Sequence, residues 1–202
     1  AQVNQHTPIF ALVNEIATKN ISGRTGVSWY QMGYKLGEYL VKYHQNNFGK
    51  TPVQLAWFPG PKSGGGSLQS TKGIQAALAD STIEIITIQH GLNEKITQFS
   101  LLKNTLKKYN NLNYLAGNAV MAEMAINEVG HLPKAQQPKI LSHYLSHGVY
   151  RGIKRGKILM ANSDQMVLQG RMAINQAVDY LQTGKVKTEH SPEIITIDQV
   201  TI

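Results

Sequence analysis

The chain has 202 residues, an apolar fraction of 42%, a charged fraction of 16% and a formal net charge of +8. This is a globular composition, since disorder needs low hydrophobicity with high charge, and the length suits one large domain or two small ones. There is no cysteine, which excludes disulfides, thiolate metal sites and cysteine nucleophiles. No apolar run reaches the roughly 18 residues of a membrane-spanning helix, so no membrane insertion is expected. The positive balance permits nucleic acid, anionic lipid or an acidic partner without choosing among them. The opening AQVNQHTPIFALVNEI has no basic segment followed by a long apolar stretch and a small-residue cleavage site. The expectation is either a protein without a leader or a mature or trimmed chain.

Strand-like and helix-like segments alternate in chain order. Ile9–Val13 follows Pro8 and reads as a buried strand. Trp29–His44 places Met32, Leu36, Tyr39, Leu40 and Tyr43 at helical spacing and predicts an amphipathic helix. Val53–Phe58 is a strand stopped by Pro59-Gly60-Pro61, Ser67–Leu78 a helix, and Ile83–Ile88 a β-branched strand. Asn93 is expected to cap a helix running to about Tyr109, its short polar side chain accepting an orphan N–H. Next come a strand at Tyr114–Ala116, a helix over Val120–Val129, a strand at Lys139–Ser142 and a helix from about Gly148 to Arg155. Lys157–Ala161 is a strand, Gln165–Gln182 a long helix and Ile194–Ile197 a last strand. Buried strands alternating with helices imply an α/β fold with a parallel, doubly wound sheet. No repeat of solenoid period and no low-complexity tract interrupts it.

Few residues suggest chemistry. The loop Ser63-Gly64-Gly65-Gly66-Ser67 follows a strand and opens a helix, where backbone N–H groups can hold an anion. It lacks the Gly-Lys-Ser/Thr of a P-loop and the spacing of a dinucleotide fingerprint, and a plain strand-to-helix turn accounts for it equally. His143 and His147 stand four apart, a spacing that suits metal on a helix, but no third ligand follows nearby and the segment lies where a strand ends. Ser142, His143 and Asp164 supply the residue types of a hydrolytic triad, but without a G-x-S-x-G elbow chance composition is the better account. Lys and Arg are scattered, and no nucleic-acid-binding motif stands out. Arg151, Lys154, Arg155 and Lys157 gather near a helix C-terminus, where cations interact favourably with the helix dipole. A solvated helix end and a docking surface for an acidic partner both fit them.

The aromatics are more informative. Trp29 and Tyr30 open a helix just after a loop, and Tyr144 follows a strand. In open α/β sheets ligands sit beyond the carboxyl ends of the strands. Aromatic faces at such a rim attract a methylated cation, each worth about 0.5–2 kcal/mol. Ordinary packing under a loop is the alternative.

Three stretches carry a resemblance: Val27-Ser28-Trp29-Tyr30-Gln31-Met32-Gly33-Tyr34; Phe58-Pro59-Gly60-Pro61 with Gly65-Gly66-Ser67; and the run from Tyr144-Leu145-Ser146-His147 through Val149-Tyr150-Arg151-Gly152 to Ser163-Asp164-Gln165-Met166-Val167. From about Pro8 to Ile202 the chain resembles the C-terminal lobe of type I periplasmic binding proteins, the ribose-binding-like group. More narrowly it is similar to members that detect trimethylamine N-oxide (TMAO) for the sensor histidine kinase TorS. The resemblance implies one lobe over residues 1–202, a three-layer α/β/α arrangement with a mainly parallel sheet, and most of the N-terminal lobe missing. Hinge segments are then expected near Ala17–Trp29 and toward the C-terminus. It also implies a periplasmic binding protein with TMAO and the periplasmic domain of TorS as partners, no nucleic acid, no metal and no cofactor. Trp29, Tyr30 and Tyr144 are the aromatic candidates. Asn118, Asn162 and Asp164 occupy strand-end positions like those of polar ligand contacts in the wider family. Arg151, Lys154 and Arg155 are the candidate docking residues. The rival readings are the effector-binding core of a LacI-type repressor and a sugar- or small-solute-binding protein feeding a transporter. An enzyme has no credible nucleophile–base pair to support it.

Overall fold

The computed structural model describes residues 7–14, 16, 20–185 and 187–202. In chain order the elements are β1 (Phe10–Leu12), β2 (Gly23–Thr25), α1 (Trp29–Phe48), β3 (Val53–Gly60), α2 (Gly65–Leu78), β4 (Ile83–His90), α3 (Lys95–Lys108), β5 (Tyr114–Gly117), α4 (Ala119–Gly130), β6 (Lys139–Ser142), α5 (His147–Lys154), β7 (Met160–Ser163), α6 (Met166–Thr183), β8 (Glu189–His190) and β9 (Ile195–Asp198). They divide into two units. The larger joins Trp29–Ser163 to Ile195–Ile202, and the smaller joins the described residues of 1–28 to Asp164–Ile194.

The larger unit holds a six-stranded sheet in the order β4-β3-β5-β6-β7-β9. Neighbours from β4 to β7 are parallel and β9 closes the edge antiparallel to β7. Because successive residues of a strand face opposite ways, each central strand feeds two cores. Leu55, Trp57, Tyr114, Leu141 and Met160 face α1 and α2, meeting Leu36, Leu40 and Ile74. Ala56, Phe58, Leu115, Ile140 and Ala161 face α3, α4 and α5, meeting Leu102, Met121 and Ile153. The three-layer α/β/α arrangement follows. On the first face α1 and α2 cross very closely: a Cβ on Gly33 would stand 2.0 Å from the Ser70 carbonyl oxygen, and one on Gly73 would stand 2.0 Å from that of Tyr30. Only glycine permits this approach.

The smaller unit is a parallel three-stranded sheet, β1-β2-β8, with α6 packed on it. Phe10 meets Tyr180 edge-on at 5.8 Å. Buried Gln176 accepts from Thr25 Oγ1 at 3.3 Å and donates to the Lys187 carbonyl at 2.8 Å.

Several boundaries differ from the sequence reading. β3 does not stop at Pro59-Gly60-Pro61 but runs on to Gly60, which pairs with His90. Asn93 does not cap α3: the cap position is Glu94 without a side-chain bond, and Asn93 Oδ1 instead lies over Gly60. β7 begins at Met160 rather than Lys157, because the amides of Lys157 and Ile158 bond back to the Gly152 carbonyl and close the end of α5. β2 and β8 carry no apolar run and were not legible. The expected hinge near Ala17–Trp29 begins on residues 17–19, which lie outside the described residues.

Candidate functional site

A parallel sheet gathers the carboxyl ends of its strands on one edge, and there the loops of the larger unit bring aromatic side chains together. Trp29, the first residue of α1, meets Tyr144 at 6.2 Å between ring centroids with planes 82° apart. Both rings are half-buried. His143, the first residue after β6, completes a triangle with them, 6.1 Å and 80° from Trp29 and 5.0 Å and 79° from Tyr144. The three planes are therefore close to mutually perpendicular. His143 is held from behind by fully buried Trp57, tilted at 5.3 Å. Trp57 is itself pinned by its indole N–H, which donates to Thr71 Oγ1 at 2.9 Å. The Trp29 ring lies on Gly66, where a Cβ would come within 3.2 Å of the indole. The glycines at the start of α2, expected in a loop, thus supply the bare backbone on which the tryptophan rests.

Tyr30 does not join this corner. It is one residue on, about 100° around the helix, and stacks on Tyr34 at 6.1 Å. Asn118 and Asn162 are fully buried with their amides engaged inside the protein. Asn118 caps α4, its Oδ1 accepting from the Met121 N–H at 2.9 Å and its Nδ2 donating to the Phe58 carbonyl at 3.2 Å. Asn162 donates to the Met32 carbonyl at 2.9 Å and accepts from Thr196 Oγ1 at 2.9 Å, tying β7 to α1 and β9. Asp164 belongs to the smaller unit, where Gln169 donates to its backbone carbonyl. Burial raises its carboxyl above the usual range, and hydrogen bonding only partly opposes this.

His143 and His147 do not share a helix face, since His143 is buried in the loop and His147 opens α5 exposed. Among the described residues no group of three or more His, Asp or Glu gathers in a metal-binding arrangement. The Ser142 hydroxyl donates to the Tyr144 carbonyl at 2.7 Å. Burial lowers His143 to about 4, with a backbone hydrogen bond at Gly117 opposing, and its Nδ1 has no hydrogen-bond partner. Sequence reasoning weighed His143 for metal and for a triad, but not as part of the aromatic corner. Its adjacency to Tyr144 at a strand end was the available signal. Arg151, Lys154, Arg155 and Lys157 are all exposed, on the last turn of α5 and just after it.

The model of the periplasmic binding protein domain matches residues 3–185. The chain belongs to the periplasmic binding protein family. This periplasmic domain is 40% identical over 190 residues to the periplasmic protein TorT of Escherichia coli K12, covering 94% of this chain and 54% of TorT. It therefore spans about half the length of the curated relatives it matches. Among solved structures, TorT in complex with the TorS sensor domain superposes with a TM-score of 0.88 at 36% identity without ligand and 0.86 at 35% with TMAO. Each comparison covers 97% of this chain and 66% of TorT. An ABC transporter solute-binding protein from Bradyrhizobium sp. BTAi1 with bound bis-Tris gives 0.84 at 36% identity, over 97% of this chain and 58% of that one. No helix among the described residues is long and apolar enough to cross a membrane.

Proposed function

We propose that this chain is the ligand-binding part of a periplasmic detector of TMAO. The intact protein passes its bound state to the periplasmic domain of the sensor histidine kinase TorS and so controls TMAO respiration. The role is binding and signalling, without catalysis. What supports the reading is one coincidence: the perpendicular pair Trp29 and Tyr144 stands beyond the strand ends of a chain 35% identical to a TorT solved with TMAO. TMAO has a methylated cationic nitrogen and an anionic oxygen. Aromatic faces suit the methyl groups, through the attraction of the ring quadrupole for positive charge. The larger unit is the C-terminal-type lobe. Within it Asn118 and Asn162 serve the ligand by holding α4, α1 and β9 in place, and Arg151, Lys154 and Arg155 form the docking face for the kinase.

Solute capture for a transporter is the second reading, favoured by the 36% identity to the Bradyrhizobium protein. Binding of the intact protein to the cognate sensor domain separates the two. For the ligand, Trp29→Ala in the intact protein should weaken TMAO binding roughly two- to thirtyfold, the loss of one cation–π face, whereas Tyr43→Phe should leave it unchanged. Calorimetry reads both. A folded Trp29→Ala protein with unchanged affinity removes Trp29 from the site.

A further inference from the structure

His143 lies outside the residues that the strand-end argument singled out, yet it touches both rings of the wall. Its place is set by the sheet: it follows β6 directly, and its backbone N–H donates to the Gly117 carbonyl at 2.9 Å. Its imidazole is buried, with Trp57 behind it and Trp29 and Tyr144 edge-on to it. Trp57 cannot yield, because Thr71 holds its indole and in turn donates to the Ser67 carbonyl at 2.8 Å. Trp29 is confined from another side by Gly66. The imidazole is thus backed by Trp57 and packed near both rings of the wall.

A second observation concerns why the residue is histidine rather than phenylalanine. A buried polar atom left unpaired is costly, and such atoms in native proteins call for a functional account. Nδ1 of His143 is such an atom. A neutral imidazole has one acceptor nitrogen. With Nδ1 as that acceptor, its lone pair adds to the negative potential of the neighbouring rings, which suits a cation and not an apolar solute.

We propose that His143 is the positioning residue of the ligand wall: its imidazole holds Trp29 perpendicular to Tyr144 and makes the corner selective for a methylated cation. The inference rests on the TMAO reading above. The experiment compares His143→Ala and His143→Phe with the unaltered intact protein, titrating TMAO by calorimetry and recording the near-ultraviolet circular dichroism of the tryptophans. His143→Ala should lose TMAO affinity tenfold or more with a changed tryptophan signal. His143→Phe, which keeps a ring in the same place, should restore the signal and recover part of the affinity, remaining at least threefold weaker than the unaltered protein. His143→Ala binding like the unaltered protein overturns the inference. A folded His143→Phe protein no better than His143→Ala, or as tight as the unaltered protein, also overturns it. If the unaltered protein binds no TMAO, the functional reading falls and this inference with it. TMAO binding that is indifferent to His143 removes only the inference.

Discussion

His143 should also leave a mark on stability. The imidazole titrates at about 4 when folded, against 6.5 when exposed, because burial disfavours its charged form. Between these values the unfolded chain takes up a proton that the folded chain refuses, so stability falls as pH falls from 6.5 toward 4. The slope is about 1.4 kcal/mol per pH unit, and the full effect is about 3 kcal/mol. Asp164, whose carboxyl is raised by burial, acts in the opposite sense, so the measurement is a difference between proteins that both keep it. Urea unfolding at pH 6.5 and 4.5 should show a smaller acid loss in His143→Phe than in the unaltered protein. Equal losses would place the imidazole in contact with water or a counter-charge. Asn118 and Asn162, strand-end residues of the candidate site, are also tied by cap and inter-element bonds.

Among the elements, α5 is short and two-sided. Ser146 caps it, accepting from the Val149 N–H at 3.1 Å, and its own hydroxyl bonds Glu123. Val149, Gly152 and Ile153 are buried while Arg151 and Lys154 point outward, with Arg155 following. The burial of one side fixes the exposure of the other, so the cations gather on the outward side. Complementary charge mainly speeds and orients association. Reversing Arg151 and Arg155 to Glu should therefore slow association with the sensor's periplasmic domain about tenfold at low salt, flatten its salt dependence and leave TMAO affinity unchanged. Stopped-flow rates at two salt concentrations test this, and rates equal to those of the unaltered protein at both would return the patch to a solvated helix end.

For the whole chain the smaller unit matters most. Val167, Ile174, Val178 and Leu181 are exposed along one side of α6, whereas Gln169 and Gln176 are buried on the other. This inverts the usual amphipathic arrangement, in which the apolar side faces inward. Exposed apolar side chains along one side of a helix, here with Arg171 among them, suit a contact face or an association liability. The 202-residue chain by itself should accordingly self-associate. Sedimentation should show oligomers growing with concentration, and Ile174→Ser with Leu181→Ser should return a monomer. A monomeric unaltered chain across that range would overturn this expectation.

Periodicity and turn chemistry made most of the larger unit legible in the sequence: the β-branched and apolar runs, the alternation with helices, and the strand-end placing of Trp29 and Tyr144 are all local signals. The short strands β2 and β8 left no such signal, because they consist of residues such as Gly23-Arg24-Thr25 and Glu189-His190 whose pairing is decided by neighbours far along the chain. The division into two units was equally hidden, since Trp29, Asp164 and Ile195 mark its crossings without any change in composition. At the site, sequence alone named two rings of the corner. Only tertiary structure decided that His143 stands beside both, that Gly66 lies beneath Trp29, and that the side chains of Asn118 and Asn162 are hydrogen-bonded within the protein. The physical reason is that a side chain's type and local spacing fix what it can do, while its partners are set by packing between segments distant in sequence.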